Sequence, residues 1–195
     1  MKQYILCAFV FITFFGCKKD NPITAQGPTY IYPLEIGNLW NFTITDYDSL
    51  SNVISSYGHQ AEIVKDTMIG NERWFQSDVC ALPITNRNDG FYVTLRGAGS
   101  ALIPELYLPF PATLGQLSQS AWSIKVISTD TIITANNKEY HCYGYVVKGI
   151  SDEEYNNTLF VAPGIGPIQQ ESYVTLTSGR RFLYELSVLE SYVLK

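Results

Sequence analysis

The chain reads Tyr140-His141-Cys142-Tyr143-Gly144-Tyr145-Val146-Val147, an alternation with a period of two residues. Because successive side chains of a β-strand point to opposite faces, this period predicts a strand rather than a helix. Both faces of the predicted strand carry aromatic or apolar side chains. A flat sheet with one solvated face would not need this, whereas a sheet curled around its own core would.

The same period recurs along the rest of the chain. It is found in runs that share one face: Trp40/Phe42/Ile44, Phe91/Val93/Leu95, Trp122/Ile124/Val126 and Phe182/Tyr184/Leu186/Val188. Turn-forming residues separate the runs, at Gly70-Asn71, Asn88-Asp89-Gly90, Asn136-Asn137, Asn156-Asn157 and Ser178-Gly179. Short turns join antiparallel strands, since parallel pairs need long crossovers. We therefore predict an all-β domain, a single antiparallel meander curled into a half-barrel or barrel, with a two-sheet sandwich as the alternative.

One segment of the predicted domain lacks this two-residue period. The segment from Leu102 to Gln119 contains Pro104, Pro109 and Pro111. Because proline interrupts both helices and strand ladders, we predict this segment to be the most irregular part of the domain. A short helical turn is expected there or near residues 151–155.

The chain also resembles itself at two places. Pro33 to Gly37-Asn38, followed by Trp40, matches Pro111 to Gly115-Gln116, followed by Trp122 after a longer gap. In both copies a strand with an Asp-Thr pair, a turn and an aromatic strand then follow. In the first copy these elements contain Asp66-Thr67, Asn71 and Trp74. In the second copy they contain Asp130-Thr131, Asn137 and Tyr140. The order of elements and the turn residues both recur, which predicts an internal two-fold repeat of β-meanders rather than chance similarity of hairpins.

The N-terminus has the features of an export signal. Lys2 precedes an apolar run from Tyr4 to Gly16, too short to span a membrane that needs about 20 residues. Gly16 stands directly before Cys17, as in a bacterial lipobox, where the cysteine becomes the acylated N-terminus. We predict a signal peptide over residues 1–16, the lipidated Cys17 and a flexible tether over 17–31, and the all-β domain over 32–195, with plain secretion as the alternative.

Composition narrows the function classes. The net charge is −5, charged residues make up 16% and aromatic residues 14% of the chain, and no basic cluster is large enough for nucleic-acid binding.

Cys80 and Cys142 either form a disulfide in an oxidising compartment or are two separate buried thiols. With only His59 and His141 and no Cys-x-x-Cys, we predict neither a metal site nor a cofactor. The surplus of tryptophan and tyrosine either fills the core or lines a pocket for a sugar or lipid.

Two motifs stand out, one at the start of the predicted domain and one toward its end: Pro33-Leu34-Glu35-Ile36-Gly37-Asn38-Leu39-Trp40 and Ala162-Pro163-Gly164-Ile165-Gly166-Pro167-Ile168. We assign turn roles in them to Gly37, Asn38, Pro163, Gly164 and Gly166, because proline breaks the ladder and glycine adopts positive φ. With Cys17-Lys18-Lys19-Asp20, these motifs resemble a group of uncharacterised Bacteroidota lipoproteins with a PL-x-x-GN-x-W opening and an APG-x-G close. The resemblance implies an all-β lipoprotein in the outer membrane, carrying acyl chains such as palmitate, and it implies no activity.

The chain lacks a recognisable catalytic arrangement. There is no Gly-x-Ser-x-Gly motif, and His141 and Cys142 are adjacent on a strand, so their side chains point to opposite faces. We therefore expect a non-enzymatic binding module of the cell envelope, attached to the outer membrane by its lipid, on either the periplasmic or the surface face. The expected partner is a hydrophobic ligand or an envelope protein; the alternative is a structural or assembly accessory of an outer-membrane complex.

Overall fold

A computed structural model of the chain describes residues 29–97, 101–119, 121–149 and 155–195. The predicted signal peptide, Cys17 and the tether up to residue 28 lie outside these residues. No helix in the described part of the chain is long and apolar enough to cross a membrane.

Twelve strands account for most of the described residues. They are β1 (Leu39–Tyr47), β2 (Val53–Ile69), β3 (Glu72–Ser77), β4 (Ile84–Arg87), β5 (Gly90–Arg96), β6 (Leu102–Pro109), β7 (Leu117–Gln119), β8 (Trp122–Ala135), β9 (Lys138–Gly149), β10 (Tyr155–Ala162), β11 (Gly166–Thr175) and β12 (Arg181–Val193).

All twelve strands belong to one antiparallel sheet that is curled nearly into a barrel. The strand order is β6-β5-β4-β3-β2-β1-β12-β11-β10-β9-β8-β7, so β1 pairs with β12 and the two edges are β6 and β7. The two ends of the sheet curl toward each other: the Tyr145 hydroxyl on β9, two strands in from the β7 edge, donates a hydrogen bond to the carbonyl oxygen of Pro109 on the β6 edge at 2.9 Å. The predicted all-β meander and its curl are confirmed, and the alternative two-sheet sandwich is not formed.

Strands β1–β6 and β7–β12 follow the same plan. Each half begins with a glycine of positive φ, 87° at Gly37 and 80° at Gly115. The Gly37 N–H donates to the carbonyl oxygen of Ile63 on β2 at 2.8 Å, and the Gly115 N–H donates to that of Val126 on β8 at 2.9 Å. The next residue of each turn accepts the return bond, at 2.9 Å in both halves. The two segments matched in the sequence therefore have equivalent positions in the fold.

The equivalence of the two halves ends at their junctions. One junction is the long β1–β12 ladder. At the equivalent junction, β6 and β7 are not hydrogen-bonded to each other in the described structure. We call this gap between the edges of β6 and β7 the open seam. The curled sheet is thus closed at one junction and open at the other.

Packed structure begins slightly before the predicted boundary at residue 32. Ile31 is buried in the core, and the carbonyl oxygen of Tyr30 accepts a hydrogen bond from the Gly164 N–H at 3.1 Å. The end of the predicted tether therefore belongs to the domain.

Two local predictions from the sequence were wrong. Asn156-Asn157, taken as a turn, lies within β10, where the two residues pair with Lys148 and Val147 of β9. The segment from Leu102 to Gln119, taken as irregular, contains β6 and β7. Pro104 is tolerated in β6 because this strand is an edge and one of its sides lacks a partner strand.

Candidate ligand-binding cavity

A cavity of about 310 Å³ lies inside the curl of the sheet. Both halves of the fold contribute to its walls, through strands β1 to β6, the loop after β3, and strands β10 and β11. Its apolar lining includes Trp40, Ala61, Phe91, Leu108, Leu159 and Val161. No lysine, arginine, histidine, aspartate or glutamate is among the described residues that line it. The cavity is therefore suited to an uncharged, hydrophobic occupant.

Trp40 forms part of the cavity wall and is fixed by a hydrogen bond on the side away from the cavity. It is fully buried, and its indole Nε1 donates a hydrogen bond to the carbonyl oxygen of Ile165 at 2.7 Å. That bond joins β1 to the turn between β10 and β11. Because its polar atom is satisfied outside the cavity, the indole presents only its apolar surface to the interior.

Tyr32 precedes β1 and reaches into the same cavity. Its ring lies 4.9 Å from that of Trp40 and 5.2 Å from that of Phe91, nearly parallel to the latter at 21°. Its carbonyl oxygen accepts a hydrogen bond from the Asn86 side-chain amide at 2.7 Å. Tyr32 is thereby fixed against strands β1, β4 and β5 of the first half of the sheet.

Besides Trp40, five lining residues carry polar side-chain groups: the hydroxyls of Tyr32, Tyr107 and Ser77, the thiol of Cys80 and the amide of Gln170. Ser77 and Gln170 already hydrogen-bond to the Cys80 N–H and the Ser172 hydroxyl. Burial, followed by the nearby Cys80, raises the pKa of Tyr107 to about 12 and raises that of Tyr32 further. Both hydroxyls are therefore neutral donors at any physiological pH. Neither has a hydrogen-bond partner among the described residues.

Aromatic side chains cross the open seam. Tyr107 of β6 meets Trp122 of β8 edge-on at 5.1 Å, and Phe110 meets Tyr143 of β9 edge-on at 5.2 Å. These contacts are between side chains, whereas the β1–β12 junction is a continuous backbone ladder. Side chains change rotamer far more readily than a ladder separates, so the open seam is the weakest closure of the sheet, and it adjoins the cavity at Tyr107.

Cys80 and Cys142 do not form the disulfide that was one of the two alternatives left open by the sequence. Both are free thiols. Cys80 lies in the loop after β3, where its N–H donates to the Ser77 hydroxyl at 3.0 Å, and it borders the cavity. Cys142 is buried on β9, and burial raises the pKa of its thiol to about 12. The two cysteines occupy separate environments, which was the other alternative.

The residues assigned to turns hold the ends of the sheet together. Asn38 is buried; its side-chain amide donates to the carbonyl oxygen of Pro33 at 2.9 Å, and its Oδ1 accepts from the backbone N–H of Lys195 at 2.8 Å. Gly164 and Gly166 have φ of 75° and 105° in the turn after β10, which Pro163 enters. None of these turn residues lines the cavity; they hold the strands that form its wall. Pro167, which follows Gly166, does line it.

The sequence did not identify Tyr32 and Tyr107 as site residues. Tyr32 stood at the boundary of the predicted tether, and Tyr107 stood in the segment taken as irregular. In the sequence each of them is followed closely by a proline, Pro33 directly after Tyr32 and Pro109 two residues after Tyr107. Within the described residues, no group of three or more histidine, cysteine or acidic side chains is placed to hold a metal ion.

Comparisons with known proteins yield fold-level resemblances only. A scan against protein-family models found no match, and a search of the curated proteins found none either. Among solved structures, the chain is similar to a protein of Bacteroides fragilis described as exported with a YmcC-like fold, at 11% identity and a TM-score of 0.49, covering 85% of this chain and 99% of that one. It is also similar to a protein of Parabacteroides distasonis described as a lipoprotein, at 12% identity and a TM-score of 0.44, covering 86% and 100%. No functional argument is drawn from resemblances this distant.

Proposed function

We propose that this protein is a lipid-anchored lipoprotein of the cell envelope that binds a small hydrophobic ligand in the cavity inside its curled sheet. The observation that carries the proposal is the uncharged, mainly apolar cavity of about 310 Å³. Pockets for small molecules begin at about 300 Å³ and combine an apolar lining with a few polar groups. The proposed role is binding without catalysis.

The size of the cavity supports a ligand rather than a packing defect. Protein cores are close-packed, and voids larger than a water molecule are few. A space of about 310 Å³ among core side chains is larger than such voids, and a bound apolar molecule would remove its lining from water.

The sequence supports the membrane part of the proposal. The lipobox before Cys17 supplies an acylated N-terminus, and stable attachment follows from burying more than one acyl chain. Residues 17–28 can extend over at most about 40 Å. The cavity would therefore stay close to the bilayer, which is a source or destination of hydrophobic molecules. The outer membrane is the proposed location.

Binding can be tested with N-phenyl-1-naphthylamine, a neutral apolar probe whose fluorescence rises on leaving water. We expect saturable binding to the mature chain carrying Cys17→Ala, produced behind a cleavable signal peptide so that no detergent is needed. Ala61→Phe places a ring inside the cavity and should abolish this binding. Ala101→Phe, at an exposed position, is the matched control. Equal binding by both variants, with folding checked by circular dichroism, would contradict the proposal.

Anchoring is tested separately, by fractionation of cells. The wild-type protein should be recovered with the outer membrane, and Cys17→Ala should be recovered in the soluble envelope fraction. Retention of Cys17→Ala in the membrane would show that lipidation is not the means of attachment.

A further inference from the structure

We infer that the cavity selects a neutral amphiphile, in which a short apolar chain carries one uncharged hydrogen-bond-accepting head (an alcohol, ester or ketone) placed at the hydroxyls of Tyr32 and Tyr107. This inference rests on the proposed function and specifies its ligand. Size, charge and hydrogen bonding contribute to it independently.

Size limits what the cavity can enclose. Pockets for small molecules begin at about 300 Å³, so a cavity of about 310 Å³ takes a small molecule, such as the probe or a chain of about ten carbon atoms, or the end of a longer chain. A complete phospholipid does not fit inside.

Charge excludes ionised heads. The described lining residues are Tyr, Trp, Phe, Leu, Ile, Val, Ala, Pro, Ser, Cys and Gln, so an enclosed carboxylate or ammonium group would find no counter-charge. Removing such an ion from water without a partner is strongly unfavourable. An ionised fatty acid is therefore disfavoured relative to the corresponding alcohol or ester.

Hydrogen bonding determines where the polar head of the ligand lies in the cavity. The hydroxyls of Tyr32 and Tyr107 border the cavity and lack partners among the described residues. Burial keeps both hydroxyls protonated, since it raises the pKa of each. Neither oxygen is among the fully buried atoms that lack a partner, so both keep accessible surface and can donate to an acceptor on the occupant. An alcohol, ester or ketone oxygen supplies one.

The test is displacement of N-phenyl-1-naphthylamine from the mature Cys17→Ala chain by decan-1-ol, methyl decanoate, decanoate and decylammonium at pH 8. We expect the alcohol and the ester to displace the probe at concentrations at least about tenfold lower than the two ions. Tyr107→Phe and Tyr32→Phe should each lower the affinity for decan-1-ol, measured relative to that for the probe, about three- to tenfold, which corresponds to one hydrogen bond. Tyr92→Phe, whose hydroxyl donates to Asp89 outside the cavity, is the matched control.

The outcomes separate this inference from the proposed function. If decanoate bound as tightly as decan-1-ol, or more tightly, the inference that the head of the ligand is neutral would be overturned. Unchanged affinity for decan-1-ol in both tyrosine variants would overturn the placement of the head at these hydroxyls. In either case binding of the probe would still support a hydrophobic cavity. Failure of the probe itself to bind would overturn the proposed function, and the inference with it.

Discussion

The indole of Trp40 lies directly on Gly166. A Cβ atom added at Gly166 would stand 3.2 Å from Trp40 Nε1, while Nε1 donates to the carbonyl oxygen of Ile165 at 2.7 Å. The opening and closing motifs of the domain, far apart in sequence, therefore meet at one point. This contact supports the wall of the cavity, because Trp40 lines it.

Gly166→Ala should accordingly destabilise the protein. Its φ of 105° is unfavourable for any residue with a Cβ, and the added methyl would press on Trp40. We expect a loss of about 2 kcal/mol or more in the free energy of unfolding, measured by urea denaturation. Gly58→Ala is the matched control: a Cβ there meets no atom within 4 Å, so a change within about 0.5 kcal/mol is expected. Equal effects of the two substitutions would contradict this account of the contact.

The local pattern of the sequence was sufficient for the fold class. The period of two, the turn residues and the apolar character of both faces predicted strands, an antiparallel meander and a curled sheet, because these properties depend on neighbouring residues. The repeated Gly37 and Gly115 turns were visible for the same reason. Pro104 was misleading, since its effect depends on β6 being an edge strand, which only the complete sheet order determines.

The candidate site was less predictable because it depends on contacts between distant residues. The β1–β12 pairing joins the two ends of the domain, and the open seam is a consequence of where pairing stops. The surplus of aromatic residues was predicted either to fill the core or to line a pocket. Trp40 does both, whereas the positions of Tyr32 and Tyr107 in the cavity follow from tertiary packing alone.

Trp122 should control the rate of ligand exchange. Its edge-on contact with Tyr107 bridges the open seam beside the cavity. An aromatic pair of this kind contributes about 0.5–1.5 kcal/mol, so Trp122→Ala should raise the dissociation rate of N-phenyl-1-naphthylamine about two- to tenfold. Stopped-flow dilution measures this rate. Leu117→Ala, at an exposed position on β7, should leave it unchanged, and an unchanged rate in Trp122→Ala would show that ligand does not pass through the seam.

The Glu72–Arg87 ion pair should make a small, pH-dependent contribution to stability. Arg87 donates two hydrogen bonds to the Glu72 carboxylate, at 2.9 and 2.8 Å, and thereby holds the pKa of that carboxyl below its ordinary value. The folded state thus favours the ionised form, so the stabilisation is present above about pH 4.3 and is lost as the pH falls through the lowered pKa. The side chains are 33% and 35% exposed, which limits the effect to less than about 1 kcal/mol.

Thermal unfolding of Glu72→Gln from pH 7 to pH 3 measures this contribution. The variant should melt about 1–2 °C below the wild type at pH 7, and the difference should shrink as the pH falls through the lowered pKa of Glu72. Glu139→Gln, at an exposed position, is the control and should match the wild type throughout. A difference that stays constant from pH 7 to pH 3 would mean that Glu72 acts through packing rather than through its charge.

The two cysteines of the domain should behave as independent thiols. Burial raises the pKa of Cys142 to about 12, so iodoacetamide should not label it in the native protein. Unfolding the Cys17→Ala chain without reductant should expose two alkylatable thiols, Cys80 and Cys142, counted by intact mass. Label uptake only after reduction would show that the mature protein contains the disulfide that this structure lacks.

Native mass spectrometry of the acylated protein, extracted from the membranes in which it is made, tests whether the cavity holds a ligand in the cell. We expect the wild type to carry a small, neutral, hydrophobic molecule held non-covalently. Ala61→Phe, extracted in the same way, should carry only its covalent acyl chains. A bare acylated chain in both preparations, or the same bound molecule in both, would contradict the claim that the cavity holds the ligand.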